Sequence, residues 1–323
     1  MNERACLICI DTGTTNTRVW LTIGEQVIAS ARASVGVRDT ARDGSPARLH
    51  KALRELIAQV RAEALGAEPS AVLAAGMITS PLGLAEVPHV PAPAALDDLS
   101  AATQRHHFPQ ITDLPVLLVP GVRSGPLQCD IETIGTADVM RGEETLCVGL
   151  HTLGLLEAGA TLLNLGSHWK LIQLDEAARI AASVTSLTGE LIHTTQTQTI
   201  LASAVPQTKP ESIDRHWLAA GMREQRYSGL ARALFCVRLL EQRTESTPEE
   251  RLAFLLGVYL AADLEAWLQR GLLRQVVITG GGAIAEVCQA VLAASAVEAD
   301  LLDKAAVERG FLIGLRQIAG ARL

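Results

Sequence analysis

The chain has 323 residues and a formal net charge of −7, because 28 lysine and arginine residues stand against 35 aspartate and glutamate residues. Apolar residues make up 48% of it and aromatic residues only 3%. An acidic chain with so few aromatic rings offers neither the basic surface nor the stacking platforms that nucleic acid requires. No run of about 18 charge-free apolar residues occurs, so we expect no membrane span.

The cysteines and the first residues favour a cytoplasmic protein. Glu3 and Arg4 precede a short apolar run, which is not the pattern of an export signal. Cys6 and Cys9 stand three positions apart on a predicted strand, where they face opposite sides, and no second cysteine pair completes a zinc site. We therefore expect reduced thiols and no metal bound through cysteine.

In the first half of the chain, apolar runs rich in β-branched residues predict strands. Ser45 and Pro46 are typical of a helix start with proline at the first helical position, and leucines recur behind them at helical spacing. Four prolines predict a surface loop over 81–93. The predicted strands are 7–10, 17–23, 27–35, 71–75 and 114–119.

The second half repeats this design. Thr247, Pro248 and Glu250 have the form of a capping box, with a long helical stripe behind them. A strand that ends in glycine and turns into another strand occurs near residue 10 and again near residue 165, so we predict an α/β fold of two related lobes, 1–155 and 156–323. The predicted strands of the second lobe are 160–165, 170–174 and 275–279, and a helix follows to about 294.

The sharpest motif covers residues 11–18, Asp-Thr-Gly-Thr-Thr-Asn-Thr-Arg. Gly13 permits a tight turn whose N–H groups and hydroxyls form a small anion-binding nest. Asp11, at the end of the strand, has the hard oxygen ligands that hydrated Mg²⁺ prefers, and Arg18 can clamp a phosphoryl group. The alternative is a decorated β-hairpin without a ligand.

Two further glycine turns follow predicted strands. Gly166, Ser167 and His168 form the first, and it suggests a second phosphate-facing turn opposed to the first across a cleft. Gly280, Gly281 and Gly282 form the other and open a helix, whose N-terminus favours anions. The last turn also fits a dinucleotide fingerprint, but about 43 residues remain after it, too few for the rest of such a sheet.

A fourth motif, residues 138–145, combines acids with a glycine at the start of a predicted helix. The helix dipole favours acids in a first turn, and this alone explains them on composition. The histidines show no metal-ligand spacing.

Taken together, the three loops resemble the phosphate-1, phosphate-2 and adenosine motifs of the actin/Hsp70/sugar-kinase superfamily. Within it the chain resembles the 2-dehydro-3-deoxygalactonokinases, nearly end to end. Met-Arg-Gly-Glu-Glu and Thr-Gly-Glu-Leu are the specific strings. The matching segments are Asp11–Arg18, Gly76–Ser80, Pro120–Val122, Val139–Thr145, Gly166–His168 and Thr188–Leu191.

The resemblance implies two ribonuclease H-like lobes with a nucleotide cleft between them, and it assigns roles to residues. Glu143 is implied as the general base, with Glu144 and Asp138 left open. The carboxylate of the sugar acid is implied to pair with Arg141 or Lys170. The implied nucleotide-binding residues are Gly13, Thr14, Thr15, Asn16, Gly166, Ser167, His168, Gly280, Gly281 and Gly282. Met77, Thr79 and Ser80 are implied to line the sugar-acid pocket.

The chain departs from the family at several positions. Tryptophan is usual in place of Thr12 and Leu84, and glycine in place of Thr79. Residues 166–170 read Gly-Ser-His-Trp-Lys where Gly-Thr-His-Ser-Lys-Trp is usual. These changes lie in the substrate loop and the phosphate-2 turn, so they concern which sugar acid is used.

These observations predict an ATP- and Mg²⁺-dependent kinase that phosphorylates the 6-hydroxyl of a 2-keto-3-deoxy sugar acid. We expect a small-molecule substrate and neither a nucleic acid nor a membrane partner; a homodimer is left open. The alternatives are a non-metabolic ATPase or sensor of the same superfamily, a polyphosphate hydrolase of the same fold, and a nicotinamide-dependent dehydrogenase.

Overall fold

The computed structural model describes residues 5–64, 66–320 and 322. The chain divides into two structural units. The first comprises the chain up to Ala158, Leu174–Ser183 and the segment from Ala305 onward; the second comprises Gly159–Gln173 and Val184–Lys304. The lobes 1–155 and 156–323 stay a prediction, and the two units differ from them because the chain returns twice to the first unit.

The first unit contains a six-stranded sheet of order β3-β2-β1-β4-β7-β6 and a three-stranded sheet of order β5-β8-β9. The elements up to residue 152 are β1 (Cys6–Thr12), β2 (Thr17–Ile23), β3 (Gln26–Ala33), α1 (Val37–Asp43), α2 (Ala47–Ala62), β4 (Val72–Gly76), β5 (Val90–Pro91), α3 (Leu96–Ala102), β6 (Gln104–His107), β7 (Pro115–Leu118), β8 (Val122–Ser124), β9 (Asp138–Met140) and α4 (Glu143–Thr152).

The position of strand β1 inside the six-stranded sheet explains its apolar sequence. Strand β1 pairs antiparallel with β2 and parallel with β4, so it is an interior strand, and the residues from Leu7 to Ile10 are all buried, which accounts for their continuous apolar run. Ile8 and Ile10 pack in one core with Leu53 and Ile57 of α2, whose apolar residues recur at helical spacing. The end of β1 therefore stands on a rigid support.

A five-stranded sheet has the order β12-β11-β10-β13-β14, and its strands β10, β13 and β14 lie wholly in the second unit. The elements from residue 161 onward are β10 (Thr161–Leu165), β11 (Trp169–Leu174), β12 (Ile180–Ser186), α5 (Thr188–Gln198), α6 (Arg215–Ser228), α7 (Leu230–Arg243), α8 (Pro248–Gln269), β13 (Val276–Thr279), α9 (Ala283–Ala294), β14 (Ala299–Leu301) and α10 (Lys304–Gly320).

Helix α8 is the central helix of the second unit. It starts with the predicted capping box, in which the Thr247 hydroxyl accepts the Glu250 N–H and the Glu250 carboxylate accepts the Thr247 N–H. Within the described chain it is also the one helix long and apolar enough to cross a membrane, but 67% of its most apolar window is buried. Its apolar residues pack in the core of the unit, which accounts for its composition.

Several predicted elements are confirmed and others need correction. Strand β2 has the predicted bounds. Helix α2 begins at Ala47, with Pro46 as its N-cap rather than its first residue. Asp138–Met140 is a strand, not a helix start, because it pairs with β8. Helices α1 and α3 and strand β6 were not predicted.

Helices α4 and α10 of the first unit lie in backbone contact. A Cβ on Gly149 would overlap the carbonyl oxygen of Gly310, and a Cβ on Gly314 would overlap that of Thr145. Helix α10 is in turn tied to the sheet by buried Arg316, which donates to the Thr22 hydroxyl (2.7 Å) and the Ala5 carbonyl (3.1 Å). The sheet therefore positions α4 through α10.

The start of α4 is fixed by Glu144, whose side chain is fully buried. Both of its carboxylate oxygens accept the N–H of Gly142, at 2.9 and 2.8 Å, and one also accepts the Thr145 hydroxyl at 3.1 Å. Burial, and next the charge of Glu143, raise the pKa of Glu144 to about 7. Glu144 thus acts as a tether for the turn that precedes the helix.

The helix contact predicts the effect of one added methyl group. We expect Gly314→Ala to lower the free energy of unfolding by about 1–3 kcal/mol, because the crowding outweighs the better helix propensity of alanine. Chemical denaturation measures this. The matched control is Gly135→Ala, where an added Cβ meets no atom within 4 Å. Equal stability of the two variants would contradict the contact.

The burial of Glu144 predicts a pH dependence of stability. Because its pKa is higher in the folded than in the unfolded chain, the folded state binds more protons between about pH 4.5 and about pH 7, and stability falls as the pH rises through that window. Glutamine cannot ionise, so the stability of Glu144→Gln relative to the wild type should rise over the same window. Denaturation at several pH values measures it. For exposed Glu176→Gln we expect a flat difference; a flat difference for Glu144→Gln would contradict the assignment.

Candidate active site

The first predicted loop joins β1 to β2 in the first unit. Asp11 stands directly opposite Arg18 across the two strands, and the Gly13 N–H donates to the Asn16 carbonyl at 2.8 Å, which closes the turn. Thr12 and Thr17 are fully buried beneath it. The turn therefore leaves the hydroxyls of Thr14 and Thr15 partly exposed above a fixed base.

A glycine that the sequence analysis missed supports this loop from the other side. The first N–H groups of α1, on Val37 and Arg38, donate to the carbonyls of Gly13 (3.3 Å) and Thr14 (3.0 Å). A Cβ on Gly36 would overlap the Thr14 carbonyl, so only glycine allows this approach. Asp39, three residues on, accepts the Gly36 N–H at 3.0 Å, and this spacing of a cap and an acid was the available signal.

Two further glycines bring the segment 11–18 close to the start of α4. At Gly76, which has a φ of 87°, a Cβ would lie 2.6 Å from the Thr12 carbonyl oxygen and 3.2 Å from a carboxylate oxygen of Asp11. At Gly142, which has a φ of 107°, a Cβ would lie 3.2 Å from the Cα of Gly76. The end of β1, the turn after β4 and the start of α4 thus meet at what we call the glycine junction, Gly76 and Gly142.

This junction brings two carboxylates within electrostatic reach. Burial raises the pKa of Asp11 to about 6, Arg18 opposes this shift, and the charge of Glu143 adds to it. Glu143 is the first residue of α4 and is partly exposed. Glu144 is fully buried with both oxygens on the Gly142 N–H, whereas Glu143 is partly exposed and its charge acts on Asp11.

The third candidate base, Asp138, has a different place. It lies in β9, opposite Ser124 of β8. Its position in a paired strand gives no geometric argument for the role of base. The sequence could not separate the three acids, since burial and hydrogen bonding distinguish them.

The predicted sugar-acid loop follows the same junction. Met77–Thr79 form a single 3₁₀ turn after β4, and the Ser80 hydroxyl donates to the Met77 carbonyl at 2.7 Å. The Thr79 hydroxyl donates to the Gly76 carbonyl at 3.1 Å and accepts from Arg141 at 2.8 Å. The structure therefore brings Arg141 together with the predicted pocket residues.

The predicted phosphate-2 turn lies in the second unit, between β10 and β11. Gly166 and Ser167 are exposed, and His168 lies 3.1 Å from Glu190 of α5. A Cβ on Gly189 would overlap the Gly166 carbonyl, so the Thr-Gly-Glu-Leu string starts the helix that supports this turn. Lys170, the other predicted carboxylate partner, is buried in this unit opposite Asn164.

The triple glycine follows β13 in the same unit. Gly280 has a φ of 115°, and a Cβ there would lie 2.7 Å from the Leu165 carbonyl oxygen. Gly282 is the N-cap of α9, and an added Cβ there would meet no atom within 4 Å. The second and third predicted loops therefore adjoin, and the N-terminus of α9 opens beside them. The antiparallel pairing of β10 with β11 differs from a parallel dinucleotide-binding sheet.

No group of three or more histidine, cysteine or acidic side chains with metal-binding geometry occurs among the described residues. A site made of one or two carboxylates and several waters is the arrangement that Mg²⁺ adopts with phosphate substrates. Asp11 has the chemistry for it. Its partly buried carboxylate can coordinate a metal ion through oxygen. The charge of Glu143 repels that of Asp11, and a divalent cation would relieve the repulsion.

Comparison with known structures shows the fold. A Sinorhizobium meliloti protein, provisionally assigned as a 2-dehydro-3-deoxygalactonokinase, superimposes with a TM-score of 0.79 at 23% identity, over 98% of this chain and 96% of that one. The activator of 2-hydroxyisocaproyl-CoA dehydratase from Clostridium difficile, solved with ADPNP, gives a TM-score of 0.52 at 14% identity, over 98% and 96% of the two chains. The predicted α/β fold of the actin/Hsp70/sugar-kinase type is confirmed.

Sequence comparison shows the family. The 2-dehydro-3-deoxygalactonokinase of Escherichia coli K12 is 27% identical over 265 residues, 80% of this chain and 78% of that protein. The family model of the 2-keto-3-deoxy-galactonokinases matches residues 11–317. The chain therefore belongs to the 2-keto-3-deoxy-galactonokinase family and is a carbohydrate kinase.

Proposed function

We propose that this kinase transfers the γ-phosphate of ATP, with Mg²⁺, to the 6-hydroxyl of 2-dehydro-3-deoxy-galactonate or a similar keto-deoxy aldonate. The observation that carries the proposal is the glycine junction, which brings Asp11, Glu143 and Arg141 together on the backbone of one unit. The name of the Escherichia coli relative supports the substrate class.

Phosphoryl transfer depends on positioning and on charge neutralisation more than on covalent chemistry. Glu143 takes the proton from the sugar hydroxyl, since this residue is partly exposed at the first position of α4, whereas Glu144 is fully buried. Arg141 pairs with the substrate carboxylate, since a guanidinium fork suits bidentate recognition. Met77, Thr79 and Ser80 form the turn on which this pocket rests.

Asp11 holds the metal through water, and Mg²⁺, when bound, neutralises charge on the phosphates. Thr14, Thr15 and the backbone from Gly13 to Asn16 cradle the β- and γ-phosphates, and Arg18 stabilises the charge on the transferred group. Helix α1 supports this loop through hydrogen bonds to the carbonyls of Gly13 and Thr14.

In the second unit, the turn formed by Gly166, Ser167 and His168 takes the phosphate-2 role, and Gly280, Gly281 and Gly282 receive the adenosine. The wide backbone freedom at Gly280 and Gly282 and the helix N-terminus beside them support this assignment. Lys170 lies beneath this turn, buried in β11, which favours Arg141 over Lys170 as the carboxylate partner.

We also propose a cellular compartment and a class of partner for the enzyme. A cytoplasmic protein that acts on a small sugar acid, with no nucleic acid or membrane partner, fits its acidic charge and its free cysteines. Whether the enzyme forms a homodimer is to be measured.

Turnover against a panel of substrates tests the function. We expect ATP-dependent ADP release with 2-dehydro-3-deoxy-galactonate or a close keto-deoxy aldonate, and the product should carry its phosphate at the 6-position by NMR. Ordinary aldonates and water serve as control acceptors. ATP hydrolysis that no sugar acid stimulates would favour an ATPase or sensor instead.

The role of Glu143 predicts the effect of one isosteric change. Glu143→Gln should lower kcat by about 10²–10⁴-fold, because glutamine cannot accept the proton, and should leave nucleotide affinity nearly unchanged. Steady-state kinetics and nucleotide titration measure the two quantities. Asp138→Asn is the matched control and should change kcat less than threefold. A large loss in the control with a loss under tenfold in Glu143→Gln would move the role to Asp138.

The role of Asp11 predicts a loss of Mg²⁺-dependent turnover. Asp11→Asn removes the carboxylate charge at nearly constant volume, so turnover at any Mg²⁺ concentration should fall to background. A Mg²⁺ titration of the rate measures it. Asp113→Asn, at an exposed aspartate paired with Arg61, is the control and should keep the wild-type titration. Unchanged activity of Asp11→Asn would remove this residue from the mechanism.

A further inference from the structure

The guanidinium of Arg141 is held by three contacts within the first unit. It donates to the Thr79 hydroxyl at 2.8 Å and to the Val87 carbonyl at 2.9 Å, and it lies 3.4 Å from Nδ1 of His89. The first two contacts each use one N–H donor, one on Nη1 and one on Nη2, of the five that a guanidinium carries. Arg141 is partly buried, and these contacts fix the orientation of its guanidinium.

Thr79 makes the contact that links this arginine to the junction. Its side chain is fully buried, and its hydroxyl donates to the Gly76 carbonyl while it accepts from Arg141. Its own carbonyl accepts the Val87 N–H at 3.0 Å, which holds the second acceptor of the guanidinium in place. One residue thus connects Arg141 to Gly76 and to Val87.

We propose that Thr79 is a positioning residue that sets the plane of the Arg141 guanidinium for the carboxylate of the sugar acid. The inference rests on the proposed function, in which Arg141 binds that carboxylate. Without the hydroxyl of Thr79, one Arg141 donor would lose its acceptor, so this chain orients the arginine through that side chain.

The geometry explains why orientation matters. A guanidinium recognises a carboxylate through two parallel N–H donors, so a rotation of its plane loses one of the two hydrogen bonds. The hydroxyl of Thr79 restrains that rotation at Nη1, and the Val87 carbonyl restrains it at Nη2. The chemistry of phosphoryl transfer does not involve this contact, so its loss should affect binding of the sugar acid rather than kcat.

The test compares Thr79→Val, which keeps the shape and removes the hydroxyl, with Thr79→Ser, which keeps the hydroxyl. We expect Thr79→Val to raise KM for the sugar acid about tenfold, with kcat and KM for ATP within about threefold of the wild type. Thr79→Ser should restore KM to within about threefold. Thr79→Ala serves in place of the valine variant if that protein does not fold, which its circular dichroism spectrum shows.

Arg141→Lys separates this inference from the function on which it rests. If Arg141→Lys raises KM for the sugar acid and Thr79→Val leaves it within twofold, the positioning role is overturned while the proposed function stands. If Thr79→Val has no further effect in the Arg141→Lys background, the two residues act as one unit and the inference is supported. A wild-type enzyme that phosphorylates no sugar acid overturns the proposed function, and the inference with it.

Discussion

At the end of strand β4, the backbone of Gly76 lies against the carbonyl of Thr12 on one side and against Gly142 on the other. Both glycines have a positive φ, which an L side chain rarely adopts, and neither position has room for a Cβ without a shift of its neighbours. Any larger residue would separate the end of β1 from the start of α4. The proximity of the Asp11 and Glu143 carboxylates depends on this contact.

A close approach of a glycine to a backbone carbonyl recurs at each predicted loop. Gly36 lies against the carbonyl of Thr14, Gly189 against that of Gly166, and Gly280 against that of Leu165. In each case a glycine lets one backbone approach the carbonyl of another, which fixes a turn without a side chain over it. We infer that these loops are set before a ligand arrives, and a preorganised site stabilises a charged transition state without reorganisation.

Close backbone contacts also position helices α4 and α10 in the first unit. Helix α4 carries Glu143 at its start, and α10 lies in backbone contact with it through Gly149 and Gly314. Buried Arg316 holds α10 against the sheet through two hydrogen bonds. Helix α10 therefore helps to position Glu143 at the start of α4. A fully buried Glu144 completes this arrangement by holding the turn at Gly142.

Local patterns predicted strands β1–β4, β7, β10, β11 and β13, the capping box of α8 and the three glycine loops, because each depends on residues that are neighbours in sequence. They could not predict that Gly149 meets Gly310 or that the chain returns to the first unit, since these contacts join distant segments. Glu143 and Glu144 are alike in sequence, and only burial separates them. The family strings identified the kinase, whereas the contacts of Gly36 with Thr14 and of Thr79 with Arg141 are seen only in the structure.

The central claim is that Asp11 and Glu143 face each other across the glycine junction, and a double-mutant cycle on folding stability tests it most directly. The cycle combines Asp11→Asn with Glu143→Gln, and denaturation at pH 8 without Mg²⁺ gives each free energy of unfolding. Removing the charge of Glu143 should stabilise the protein by at least about 0.5 kcal/mol more when Asp11 is present than when it is asparagine. Exposed Glu55→Gln, in place of Glu143→Gln, should show no such coupling. Additive effects of Asp11→Asn and Glu143→Gln would contradict the account.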